Sequence, residues 1–128
     1  MLLEHFAINV PDSVAMAQWY VTHCKMRIVL QVEGPPHTRF LADQSGRTCM
    51  EIYSNPAAEV LNFSSQHPLM YHHAFAVEDI DLTQQELLAA GATFVDDTRL
   101  PNGSRLVMLR DPWGIPLQLV YRPQNWYQ

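Results

Sequence analysis

The segment His5-Phe-Ala-Ile-Asn-Val-Pro-Asp12 decides the fold, because it recurs as His72-His-Ala-Phe-Ala-Val-Glu-Asp79. In both copies a histidine and an aspartate flank an apolar run that is typical of a β-strand. The two histidines are 67 positions apart, and so are the two aspartates. Recurrence at one fixed offset indicates that the chain contains two copies of one structural unit.

A helix is predicted after each aspartate, over residues 13–24 in the first copy and 81–90 in the second. In the second helix, Asp81 is the predicted N-cap, Gln84 occupies the capping-box position, and Gly91 ends the helix. The two copies therefore agree beyond the quoted strand.

Strands are predicted after the helices, over residues 26–32 and 93–95. Each half then closes with two strands joined by a turn that contains aspartate and glycine, a composition that hairpin turns use. The closing segments are Phe40–Gly46 with Cys49–Tyr53, and Met108–Gly114 with Leu117–Tyr121. Each half thus has the order strand, helix and three strands.

This order predicts an α+β fold of two tandem βαβββ modules. Module one covers about residues 1–54, a linker about 55–70, and module two about 71–128, all in a single domain. A chain of 128 residues, of which 48% are hydrophobic, can bury a core without metal or disulfide staples.

Composition excludes several functional classes. The net charge is −5, and the 8 basic residues are scattered singly, so no nucleic-acid partner and no membrane partner is expected. The two cysteines, Cys24 and Cys49, form no metal or redox motif and are predicted to be buried thiols. The strand pattern starts at the N-terminus without a targeting signal, which predicts a cytoplasmic protein.

Side chains alternate across a strand, so the sequence predicts which residues share a face. In the first and last strands of each half, one face carries bulky side chains, among them His73. The other face combines small side chains with one metal-capable group per strand. These groups are His5, Glu51, His72 and Gln118. A single strand histidine is often only hydrogen-bonded in a core, but the repeat equivalence of all four positions favours a divalent cation with N and O ligands.

Residues 4–12, 50–55, 72–79 and 111–119 resemble the vicinal oxygen chelate superfamily of glyoxalases, bleomycin resistance proteins and extradiol dioxygenases. The resemblance implies that the two βαβββ modules form a curved mixed sheet around a cavity. The cavity holds a divalent metal ion, which the substrate chelates through two neighbouring oxygens. It places four residues at the metal-ligand positions of glyoxalase I, and the metal could be Ni, Zn, Fe, Mn or Co. These residues are His5, Glu51, His72 and Gln118.

Position 118 departs from the superfamily, where a glutamate is usual. The amide of Gln118 can coordinate a metal but cannot accept a proton as a base, so Glu51 is the predicted catalytic base. The resemblance then implies a metal-dependent lyase or isomerase that acts on a small substrate with vicinal oxygens, and it disfavours a dioxygenase. The alternative is a metal-free small-molecule or antibiotic binding protein of the bleomycin resistance type, with Tyr53, Trp113 and Trp126 as stacking candidates.

Four residues are candidates for contact with the substrate: Asn9, Tyr53, Arg105 and Trp113. Loops over residues 34–37 and 97–104 are expected to shape the pocket. The resemblance also implies a homodimer. The cavity then lies either within one chain or between two, with the first ligand pair from one subunit and the second pair from its partner.

Overall fold

The computed structural model describes residues 1–47 and 49–125, and of Cys49 only the backbone. The chain divides into two compact units, Met1–Leu61 and the residues from Asn62 onward. This division falls inside the predicted linker over residues 55–70.

Each unit contains one βαβββ module with its own four-stranded mixed sheet. In unit one the strand order is β1-β4-β3-β2, in unit two it is β5-β8-β7-β6, and in each sheet only the first pair is parallel. The predicted α+β class and the two tandem modules are confirmed. The elements are β1 Phe6–Asn9, α1 Ser13–His23, β2 Arg27–Gln31, β3 Arg39–Ala42, β4 Cys49–Tyr53, a 3₁₀ helix Phe63–Ser65, β5 His73–Ala76, α2 Ile80–Ala89, β6 Thr93–Arg99, β7 Arg105–Arg110 and β8 Pro116–Tyr121.

The helices begin at the two repeated aspartates. Asp12 accepts a hydrogen bond from the Ala15 N–H at 2.9 Å, and Asp79 accepts one from the Leu82 N–H at the same distance. The predicted N-cap at Asp81 is therefore wrong. Asp79, two residues earlier, already accepts the hydrogen bond from the free N–H at the start of the helix. Asp81 lies in the first turn, where its negative charge interacts favourably with the helix dipole.

Strand β6 is longer than predicted, because it continues to Arg99. Its last residues pair with the beginning of β7, so the loop predicted over residues 97–104 is reduced to 100–104. The sequence Asp-Asp-Thr-Arg lacks the apolar alternation of a strand. Here the antiparallel ladder with β7 determines the structure, whereas the side chains of β6 remain largely exposed.

The hairpin turns of the two units are built in the same way. Asp43 accepts hydrogen bonds from the N–H groups of Ser45 and Gly46, and Asp111 accepts them from Trp113 and Ile115. The strands beside these turns bury apolar residues that form the core of each unit. Its most buried members include Leu41, Met50, Ile52, Leu109, Leu117 and Leu119.

Within residues 1–47 and 49–125, no helix is both long enough and apolar enough to cross a membrane.

We expect Gly114→Ala to lower the free energy of unfolding by about 2–3 kcal/mol. Gly114 has a φ of +82°, and an added Cβ would lie 1.8 Å from Ser64 Oγ and 3.2 Å from Ser64 Cα. Urea unfolding followed by circular dichroism measures the change. Gly34→Ala is the control, because an added Cβ there meets nothing within 4 Å. Equal unfolding midpoints for the two variants would contradict the close approach.

Candidate functional site

In unit one, β1 and β4 bring His5 and Glu51 together. The parallel register places Ala7 beside Glu51, and His5 lies two residues before Ala7 on the same face. His5 Nε2 lies 3.1 Å from Glu51 Oε2. Both side chains are partly buried. The predicted proximity of one imidazole and one carboxylate is thus present within this unit.

The orientation of the His5 ring is determined by its second nitrogen. Nδ1 makes a hydrogen bond with the carboxylate of Glu4, and Phe40 packs against the ring edge-on at 5.4 Å. The hydrogen bond with Glu4 is the main cause of a raised pKa at His5, and the negative charges of Glu4 and Glu51 add to it. With Nδ1 directed at Glu4, Nε2 is the nitrogen that faces Glu51.

In unit two, β5 and β8 repeat this register. Ala74 pairs with Gln118, and His72 lies two residues before Ala74. Burial agrees with the predicted faces at residues 117–119, since Leu117 and Leu119 are buried and Gln118 is more exposed, but Val120, predicted on the Gln118 face, is also buried. The predicted equivalence of Glu51 and Gln118 is therefore reproduced in the strand pairing.

His72 is also held through Nδ1, which lies 3.1 Å from the carbonyl oxygen of Pro68. A carbonyl can only accept a hydrogen bond, so the proton is on Nδ1 and the lone pair of the neutral ring is on Nε2. Metal-binding histidines typically have this arrangement, with one nitrogen held by an acceptor and the other left for the ion. In the described part of either unit, no three His, Cys, Asp or Glu side chains form a group suited to a metal.

Asn9, a predicted substrate contact, holds the loop that follows β4. Its side-chain oxygen accepts a hydrogen bond from the Asn55 N–H at 2.8 Å, and its amide nitrogen donates to the carbonyls of Asn55 and Ala58 at 3.0 Å each. The structure therefore gives Asn9 a role in loop conformation, and its contact with substrate stays a prediction.

Two of the three aromatic candidates lie in the described residues, one at the end of a strand and one in a turn. Tyr53 is the last residue of β4, pairs with Asn9 in the register and is partly buried. Trp113 lies in the turn between β7 and β8, also partly buried, and its backbone N–H donates to Asp111. Trp126 lies outside the described residues.

Arg105, the candidate for an anionic substrate, is bound by two carboxylates of its own unit. Its Nε and Nη2 donate to Asp97 at 3.0 and 2.8 Å, and Nη1 donates to Asp81 at 2.8 Å. These bonds lower the pKa of Asp97 and raise that of Arg105. A substrate anion would have to replace one of these carboxylates, so the contact predicted for Arg105 requires an exchange of partners.

A row of rings in unit two has no counterpart in the sequence-based site. The ring centres of Phe63 and Tyr71 are 5.6 Å apart, those of Tyr71 and His73 6.0 Å, and those of His73 and Phe75 5.8 Å. Burial lowers the pKa of His73 to about 4 and raises the pKa of Tyr71 to about 12. His73 pairs with Leu117 and is thus on the face where parity placed it, opposite to the face of Gln118.

Comparison with known proteins gave a family match and structural similarities. The family model for the Glyoxalase/Bleomycin resistance protein/Dioxygenase superfamily matches residues 2–119 of the sequence. A glyoxalase/bleomycin resistance protein/dioxygenase family enzyme from Burkholderia phytofirmans has a TM-score of 0.76 at 21% identity, with 94% of this chain and 98% of that chain covered. A glyoxalase family protein from Bacillus cereus has a TM-score of 0.78 at 21% identity, covering 94% and 93%.

An antibiotic binding protein from a Streptomyces species, TnmS3, has a TM-score of 0.72 at 17% identity, covering 95% of this chain and 96% of that chain. These identities are low, so the similarities show a shared fold. No curated protein matched the sequence.

We expect the stability of the protein to fall as the pH decreases from about 6.5 to about 4, partly because of His73. Burial depresses the folded-state pKa to about 4, below the unfolded value of 6.5, so the unfolded chain binds the extra proton between these values. The contribution of His73 to the free energy of unfolding is fully present above pH 6.5. About 3 kcal/mol of it is lost as the pH falls to about 4. Urea unfolding at several pH values measures it.

His73→Phe is expected to flatten this pH dependence, since a phenyl ring fills the site without titrating. His23→Phe, at an exposed position at the end of α1, is the control and keeps the wild-type slope. Identical slopes for the wild type and His73→Phe would show that His73 does not titrate as a buried group.

Proposed function

The chain belongs to the Glyoxalase/Bleomycin resistance protein/Dioxygenase superfamily, and we propose that it is a metal-dependent lyase or isomerase of the glyoxalase type, acting on a small substrate with two neighbouring oxygens. The proposed metal ligands are His5 and Glu51 of one unit together with His72 and Gln118 of the other. One observation carries the proposal: both histidines are held through Nδ1 by an acceptor, which directs Nε2 of His5 toward the carboxylate of Glu51 and leaves the Nε2 lone pair of His72 for a cation.

The donor chemistry of these residues fits a divalent ion. Two imidazoles and a carboxylate are good ligands for Ni, Zn, Fe, Mn or Co, and an amide oxygen is a weaker neutral one. His5 Nε2 and Glu51 Oε2 are 3.1 Å apart, so both can direct lone pairs at one ion when His5 is deprotonated. The repeated register of Ala7–Glu51 and Ala74–Gln118 supports an equivalent contribution from unit two.

A bound divalent cation would polarise the substrate oxygens and stabilise the negative charge that develops when a neighbouring C–H is deprotonated. Glu51 is the proposed base, because it is the only carboxylate among the four ligands and is partly shielded from water. It would take the proton on a carboxylate oxygen and return it to the adjacent carbon or to a leaving group. Gln118 binds but transfers no proton.

The proposed assembly is a homodimer in the cytoplasm. Strand β2 supports the dimer, since four apolar residues in or next to it are exposed although the strand is an edge of its sheet: Ile28, Val29, Leu30 and Val32. The sequence has no disulfide framework, which suits a reducing compartment. The ligand pairs of the two units would then meet either within one chain or across the dimer.

A metal-free binding protein is the second candidate. Two observations favour it: the structural similarity to an antibiotic binding protein, and the amide at position 118 in place of a carboxylate. In that case the metal-capable face would bind an organic ligand through stacking on Tyr53 and Trp113. Metal content separates the two candidates.

We expect purified protein to contain close to one divalent ion per chain, and His5→Ala/His72→Ala to lose it, because two of the four ligands are removed. Elemental analysis after dialysis against nickel, zinc or cobalt measures the content. His23→Ala is the control for loss of a histidine elsewhere and retains the metal. If wild-type protein binds no divalent ion under these conditions, the enzyme proposal is wrong and the metal-free binding protein takes its place.

We expect Glu51→Gln to lower kcat by 10²-fold or more while the protein still binds metal, since an amide oxygen can coordinate but cannot accept a proton. Turnover of the thiol adduct of a 2-oxoaldehyde, with metal content measured in parallel, tests this. Glu59→Gln, in the exposed segment before unit two, is the control. An unchanged kcat in the metal-loaded Glu51→Gln variant would exclude Glu51 as the base.

A further inference from the structure

Arg110, the last residue of β7, holds the segment that leads into β5. Its Nη1 donates to the carbonyl oxygens of Phe63 at 2.7 Å and Gly114 at 3.0 Å, and its Nη2 donates to that of Gln66 at 2.7 Å. One planar guanidinium thus connects the backbone of residues 63–66 to the turn between β7 and β8.

Two further contacts hold the same segment. Ser64 lies so close to Gly114 that no Cβ fits between them, and the Phe63 ring packs against Tyr71. Arg110 is only partly exposed. The position of residues 63–66 is therefore determined by contacts with the end of β7 and with the turn between β7 and β8.

From Gln66 the chain needs only two residues to reach Pro68, whose carbonyl oxygen accepts the hydrogen bond from His72 Nδ1 at 3.1 Å. Pro68 lies in a turn that is closed by the Met70 N–H, which donates to the His67 carbonyl oxygen at 2.9 Å. The acceptor for His72 is thus a backbone atom whose position depends on the segment that Arg110 holds.

We propose that Arg110 is a positioning residue that sets the tautomer of His72, by holding the Pro68 carbonyl where only an Nδ1–H can meet it. The consequence for cation binding rests on the proposed function, because it requires His72 to be a ligand. A neutral imidazole protonated on Nε2 has no lone pair there, so each molecule in that tautomer is unable to bind the ion through Nε2.

Unit one provides an internal comparison. The residue that corresponds to Arg110 in the sheet is Ala42, since Ala42 precedes the repeated turn aspartate and pairs with the first residue of β2. His5 is held by the side chain of Glu4 and not by a backbone carbonyl. A substitution of Arg110 is therefore expected to change the tautomer of His72 and to leave the tautomer of His5 unchanged.

The test is nitrogen NMR of the metal-free protein with ¹⁵N-labelled histidine, at a pH where the imidazoles are neutral. Wild type is expected to show His72 protonated mainly on Nδ1. Arg110→Met and Arg110→Lys are expected to increase the share of the Nε2–H form several-fold, with the His5 signals unchanged. Arg110→Lys keeps a cation and protects the experiment against a variant that does not fold, because an ammonium can still hold part of the segment.

Arg99→Met is the matched control. Arg99 is exposed and lies at the end of β6 that is remote from Arg110, since Arg110 pairs with Thr93 at the start of that strand. A merely structural role of Arg110 would lower thermal stability but would leave the His72 tautomer at its wild-type value. That result, in either folded Arg110 variant, would overturn the proposal.

Titration with Zn²⁺ or Co²⁺ extends the test to the cation. Affinity is expected to fall about 10-fold or more in the Arg110 variants and to stay unchanged in Arg99→Met, the size of effect typical for partners of metal ligands. If the tautomer shifts but wild-type protein binds neither ion, the role of Arg110 stands and the proposed metal-dependent function fails. If affinity falls with no change in the tautomer, the proposal for Arg110 is wrong.

Discussion

The parallel pairing of the first and last strands of each module is the constraint on which the candidate site depends. It sets Ala7 beside Glu51 and Ala74 beside Gln118, with a histidine two residues earlier in each case. Because side chains two residues apart share a face, the histidine and its carboxylate or amide partner lie on the same side of the sheet. A shift of one residue in either pairing would move the partner to the helix side.

The two modules repeat this geometry but support it with different chemistry. In unit one the histidine has carboxylates at both ring nitrogens, Glu4 at Nδ1 and Glu51 at Nε2, and the surroundings are negative. In unit two the ring is held by a neutral carbonyl, and the equivalent of Glu51 is an amide. Of the four candidate ligands, the only carboxylate therefore lies in unit one, whereas the two in unit two are an imidazole and an amide.

Other repeat positions have also taken different roles. Asn9 holds the loop after β4 through three hydrogen bonds, while its counterpart Ala76 has no polar side chain. Arg110 holds the segment before β5, while Ala42 cannot. In each case the polar residue serves a connection that only one module has, so the modules share their sheets and differ in how their loops are held.

The sequence by itself determined the module order, the helix and strand faces and the equivalence of Glu51 with Gln118, because these follow from short-range periodicity and from one repeat offset. It missed the true cap at Asp79 and the full length of β6, since capping competes between nearby aspartates and polar strands are formed by cross-strand hydrogen bonds. Only the tertiary structure decided the partners of Arg105, Asn9 and Arg110, whose bonds join residues 4 to 49 positions apart. Such contacts leave no periodic signal, because they depend on where the folded chain brings loops together.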